Sequence, residues 1–201
     1  MNIPFEMNPG DARYVEILDG LGAIDGVVDF SRVPRTTIQA AFINDHGFYD
    51  RDNDLIQINF QTSRPRLAMA HEYGHVADWH LFSEGFAKAS NSADAPDSVL
   101  FEWWQAVTRS RAHREWQDAL HDSYLREEAE YWLQPNEMLA RSFAQFVATR
   151  TSNANRRQRL QNELILARFE PVRDGYWEDD DFEPIAPALE RALEERGVLV
   201  K

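Results

Sequence analysis

Cysteine is absent from the 201-residue chain, which excludes disulfides and thiolate metal ligands and restricts any metal site to histidine and carboxylate. Basic residues are few: 21 Lys and Arg stand against 34 Asp and Glu, a formal charge of −13 at pH 7. That balance opposes phosphate binding, because affinity for nucleic acid comes from cations that neutralise phosphates. Nucleic acid is therefore not an expected partner. No apolar run reaches the length of a membrane span. Residues Met1 to Gly20 lack the basic, apolar and small-residue succession of a secretion signal. No membrane association is expected, and the cytoplasm is the default compartment. Internal repeats are lacking as well. What is there is a chain of single-domain length, 43% hydrophobic, with enough apolar residues for one core over 1–201 and a helical extension from about residue 158.

The most informative segment is His71-Glu72-Tyr73-Gly74-His75. Each helical residue turns the chain by about 100°, so His71 and His75 share a face and can grip one metal ion, with Glu72 beside them. Zinc held this way would acidify a water, and Glu72 would take its proton and deliver it to a departing amine. The chemistry implied is peptide-bond hydrolysis on a protein or peptide substrate. The segment Arg66-Leu67-Ala68-Met69-Ala70, with Val76 and Ala77 beyond, supplies apolar positions at helical spacing. Gly74 costs about 1 kcal/mol of helix stability relative to Ala, which is sensible if a strand or substrate must approach the helix closely. The plain alternative is an amphipathic helix with two ordinary histidines.

Two His ligands leave a third protein ligand to find. Asp78 and Leu81 occupy the positions where a Gly and a third His would extend the motif, so that pattern fails. His80 lies nine residues after His71, on the opposite face of a continuing helix, and reads as a capping or packing residue. Asp78 lies on the ligand face one turn further along and reads as an acceptor that orients an imidazole N–H, or as a solvated carboxylate. Glu137 is the favoured ligand. It follows Pro135, which marks a helix start, and Leu139, Phe143 and Phe146 form an apolar stripe. Ala140 is a small residue one turn after Glu137 that lets the two helices sit close. The alternative for Glu137 is an ordinary acid at a helix N-terminus, favoured by the dipole.

Elsewhere the pattern predicts a short helix over Asp11 to Leu21 and a strand or helix over Thr36 to Ile43. Gly47 to Asp50 and Asp54 to Phe60 form a hairpin turned at residues 51–53. The strand just before the motif helix is expected to form the cleft rim and to accept substrate as an added strand. Phe86 to Ser98 reads as a loop beside the site and a candidate lid. Leu100 to Glu130 reads as a helix pair, with His113 and His121 at the surface. Gln158 to Glu170 is a further helix. Glu178 to Asp181 is an acidic linker without the spacing of a calcium loop, and Ile185 to Arg196 is a terminal helix.

The two motifs, His71-Glu72-Tyr73-Gly74-His75 and Asn136-Glu137-Met138-Leu139-Ala140, resemble the gluzincin branch of zinc metallopeptidases. Tyr131 to Phe143 resembles a signature of domains in large polyvalent proteins of phages and conjugative elements. The stretch His71 to Asp78 is similar to the catalytic helix of the anthrax lethal factor group, and Ile56 to Asn59 with His80 resembles, more weakly, mobile-element regulators that cleave repressors. Leu139 departs from the family, where Phe is commoner. The resemblance spans about Phe48 to Phe146. It implies an α+β, zincin-like fold: a small twisted sheet with a hairpin, the motif helix beneath it and a mainly helical C-terminal half. It also implies zinc on His71, His75 and Glu137, with Tyr131, or Tyr124 in its stead, steadying the oxyanion. Two other functions stay open. One is a binding or structural protein of the same fold, with His80 or Asp78 as a fourth ligand; the other is hydrolysis of a non-peptide amide.

Overall fold

The computed structural model describes residues 3–11, 13–83, 87–169 and 175–200. Four strands make one mixed sheet: β1 (Phe5–Glu6), β2 (Thr36–Ala41), β3 (Gly47–Asp50) and β4 (Leu55–Asn59), in the order β1-β2-β4-β3. β1 and β4 run parallel to β2, and β3 runs antiparallel to β4 with Gly47 opposite Ile58 and Tyr49 opposite Ile56. Ile38, Ile56 and Ile58 are buried on the helix-packed face, in keeping with the period of two along a strand. The remainder is mostly helical: α1 (Tyr14–Asp25), α2 (Pro65–Ala77), α3 (Phe101–Arg109), α4 (Arg111–Ala119), α5 (Arg126–Trp132), α6 (Pro135–Arg150), α7 (Ala154–Phe169), α8 (Asp179–Phe182) and α9 (Ile185–Glu195). The fold class is α+β. Among the described residues no helix is long and apolar enough to cross a membrane.

Several expectations need correction. The hairpin forms, but the strand preceding α2 is β4, an interior strand whose two edges are already paired with β2 and β3. The free edge near α2 therefore belongs to β3. Thr36–Ala41 is a strand, its β-branched start paired on both sides. The first helix starts later than expected and runs on to Asp25. Residues 100–130 form three helices rather than two, because Ser110 ends α3 and accepts the His113 N–H at 3.1 Å to start α4. His113 is consequently buried, not at the surface. The acidic stretch is α8 rather than a linker, and Asp181 accepts from the N–H groups of Arg111 (2.7 Å) and Ala112 (2.8 Å) at the start of α4. Phe86, at the head of the candidate lid, and Glu170, at the end of the helix expected from Gln158, lie outside the described residues.

α2 and α6 are the central pair. From Glu137 to Ala148 every α6 residue is buried, so the apolar stripe read from Leu139, Phe143 and Phe146 is one part of a helix enclosed on all sides. Phe30 wedges between the two helices, edge-on to Tyr73 at 5.1 Å and to Phe143 at 6.0 Å. No side chain of its own caps α2, which begins at Pro65. The cap comes from α7: Glu163 accepts the backbone N–H groups of Arg66 (2.9 Å) and Leu67 (2.8 Å) and the Arg66 side chain (2.8 Å). A buried carboxylate thus meets the positive end of the helix dipole and orphan donors of the first turn. Hydrogen bonds to a charged group carry more stability than neutral ones, so Glu163→Gln should cost about 2 kcal/mol. Urea denaturation would measure it, and an unchanged midpoint would count against the cap.

Candidate metal centre

The two imidazoles and the distant acid meet. His71 Nε2 lies 3.2 Å from Glu137 Oε2, and His75 Nε2 lies 3.3 Å from Glu137 Oε1. The rings of His71 and His75 stand 4.9 Å apart at an interplanar angle of 83°. His71, His75 and Glu137 are close enough together to hold one metal ion. Helical spacing supplies the first pair; the close crossing of α2 and α6 supplies the third. At that crossing a Cβ on Gly74 would sit 2.6 Å from the Ala140 Cα and 3.0 Å from its carbonyl oxygen. Gly74 and Ala140 are therefore the two small residues that let Glu137 reach the imidazoles.

Electrostatics agree with a cation site. Burial alone would raise the Glu137 carboxyl, yet the adjoining imidazoles of His71 and His75 hold it well below the usual carboxylate range. Burial drives His75 down to about 3, so its imidazole is neutral and keeps a nitrogen lone pair. Burial pulls the His71 pKa down, but the Glu137 carboxylate outweighs it and raises the value. Glu137 Oε2 is buried without a hydrogen-bond donor in satisfactory geometry, His71 being its near neighbour. Two nitrogens and a carboxylate with one orphaned oxygen fit a divalent cation, whose binding displaces protons and so weakens in acid.

Beside the cluster is a cavity of about 250 Å³ lined by His71, Glu72, Tyr131, Arg141 and residues 44–47 among others. Glu72 is buried and lies against β3. Burial pushes its carboxyl up to about 8; Glu137 and Asp45 push the same way, and His71 and the Tyr49 N–H pull against them. An acid raised above its ordinary value favours the fold below about pH 4.5 and costs stability as pH climbs through about 8. Metal-free protein should thus lose stability across pH 5 to 8 by a few kcal/mol more than its Glu72→Gln variant. Parallel melts of chelated samples would check this, and identical profiles would contradict it.

Of the other expected site residues, Tyr131 lines the cavity, with the Arg141 guanidinium 5.9 Å from its ring. Tyr124 is 89% exposed and does not line it. Asp78 accepts from Ser90 instead of an imidazole: Oδ1 from the backbone N–H at 2.8 Å and Oδ2 from the hydroxyl at 2.6 Å. α2 runs on into a π-helical turn, Asp78–Phe82, where His80 Nε2 meets the Tyr49 hydroxyl at 3.0 Å. Neither residue belongs to the ligand cluster. The described part of the candidate lid, residues 87–98, does not line the cavity; its Ser90 is buried under Asp78.

Sequence reasoning missed Arg64, His46 and Arg141. Arg64 donates through Nη2 to His46 Nε2. A guanidinium cannot accept, so His46 is assigned the tautomer with its proton on Nδ1, donated to Thr62 Oγ1 at 2.7 Å. Arg141 is buried and donates to the Trp132 carbonyl. A basic residue four places after Glu137, inside an apolar helix, was the available signal for it.

The β3 edge borders the same cavity. The Asn59 N–H bonds the His46 carbonyl at 2.9 Å, so by alternation residues 46, 48 and 50 bond β4, while Gly47 and Tyr49 turn their main-chain groups outward. Comparison with protein-family models, with curated proteins and with solved structures gives no match.

Proposed function

We propose that the chain is a zinc-dependent peptidase of zincin-like arrangement, with His71, His75 and Glu137 as ligands and Glu72 as general base. One observation carries this: a cluster of two imidazoles and a carboxylate borders a cavity that a second buried carboxylate, Glu72, also lines. A nitrogen and oxygen ligand set suits zinc. Bound there, the ion would supply Lewis acidity and bring the pKa of a water toward about 7. Glu72 takes the proton from that water and passes it to the nitrogen of the departing amine. Tyr131 keeps its phenolic proton, because burial and the charges of Glu137 and Glu72 oppose its loss. It donates toward the carbonyl oxygen as negative charge gathers there. A polypeptide substrate lies along β3 as an added strand, held by the outward groups of Gly47 and by the Tyr49 carbonyl, since the Tyr49 N–H is engaged by Glu72.

The imidazole contacts with Glu137 also tie α2 to α6, which favours a second reading in which a metal merely braces the helices. That leaves Glu72 in the cavity without a task. Metal analysis followed by digestion of a peptide library separates the two. The peptidase reading expects roughly one equivalent of zinc per chain, cleavage lost on chelation, and cleavage regained with zinc. A fully loaded protein that cuts no peptide would leave the bracing role, and hydrolysis of a non-peptide amide, in its place.

A further inference from the structure

Two glycines touch the centre, and they do so differently. A Cβ on Gly74 would strike backbone: the Cα, C and O of Ala140, which cannot yield without moving α6. A Cβ on Gly47 would strike only one side chain. Its three nearest atoms all belong to Glu72, with Oε1 at 2.5 Å, Cγ at 2.8 Å and Cδ at 3.0 Å. Gly47 opens β3, and its φ is not among the positive values, so no backbone strain requires glycine there. What requires it is the space occupied by the carboxylate end of Glu72. Tyr49, two residues along the same strand, lends its backbone N–H to that carboxylate.

We propose that Gly47 is a positioning residue for the general base: its missing side chain lets Glu72 seat against the free edge of β3, beside the line a substrate strand would follow. This rests on the peptidase reading. The three nearest atoms, Cγ, Cδ and Oε1, all belong to one side chain and none to backbone, so an added methyl displaces the base before it displaces the helices or the ligands. Displacement of a reacting group by about 1 Å can cost on the order of 100-fold. The effect should fall on kcat, because the main-chain groups of β3 that would hold substrate are unchanged.

The test is Gly47→Ala in the zinc-loaded full chain. The expected result is a kcat lower by about 100-fold, with KM, zinc content and melting temperature close to those of the parent. An independent readout uses metal-free protein. Any melting shift caused by Gly47→Ala should vanish in a Glu72→Ala background, which removes all three obstructing atoms. Nearly full activity of Gly47→Ala would overturn the proposal. So would loss of fold or of zinc, or a melting shift that persists in the Glu72→Ala background. Should Glu72→Gln itself remain active, the fault would lie with the peptidase reading and not with Gly47.

Discussion

Glu72→Gln should keep the metal and lower kcat by about 10³-fold, the middle of the range for a general acid-base group. The amide matches the carboxylate in size, so it fills the same space against Gly47 and leaves the cavity and the ligands as they are. What it loses is the capacity to take a proton from water and return it to the amine. His71→Ala should behave otherwise, losing metal and activity together, since it removes one of the three converging side chains. Metal content measured beside steady-state rates distinguishes the two patterns. Activity of Glu72→Gln within tenfold of the parent would remove Glu72 from its assigned part.

Gly74→Val should damage the fold and the candidate metal centre together. The first added carbon already lies 2.6 Å from the Ala140 Cα, and a branched side chain adds two more at a crossing where Gly74 and Ala140 are both buried. Overpacked cores relieve such contacts by shifting backbone, at a cost of about 1–3 kcal/mol and occasionally more. Here the shift moves α6 away from α2 and draws Glu137 off the imidazoles, now 3.2 and 3.3 Å away. We expect a loss of about 3 kcal/mol in denaturant titrations and no retained zinc. A variant that melts like the parent and still loads metal would mean the helices have slack that the geometry denies.

What the sequence revealed was local. His71, Glu72 and His75 are fixed by helical period, and the start of α6 by Pro135, so both halves of the ligand set were legible before they were seen to meet. Ala140 was legible as a small residue facing the motif helix. Gly74 was legible as a point of close approach, but what approaches it is the α6 backbone at Ala140 and not the expected strand or substrate. Strand order was not, because β4 and β3 follow one another in sequence whichever of them takes the edge. The donor to Asp78 was missed because Ser90 reaches it across a loop with no periodic signal. Nor did anything near Arg66 point to Glu163, some 97 positions away, as the group that starts the motif helix. His113 was misjudged because its burial depends on how α3 and α4 fold back at Ser110, a tertiary outcome.

The carboxylate that α7 lends to the head of α2 bears on how this candidate site could be shortened or transplanted. A fragment ending near residue 150 would retain every ligand, the base and the tyrosine, and on paper would look complete. It would nonetheless begin its key helix with two bare amides and an uncompensated dipole, beside an Arg66 deprived of one of its two anions. The heritable unit of this chemistry is thus wider than its motifs, and grafts onto other scaffolds would have to carry the tail or supply an acid in its stead.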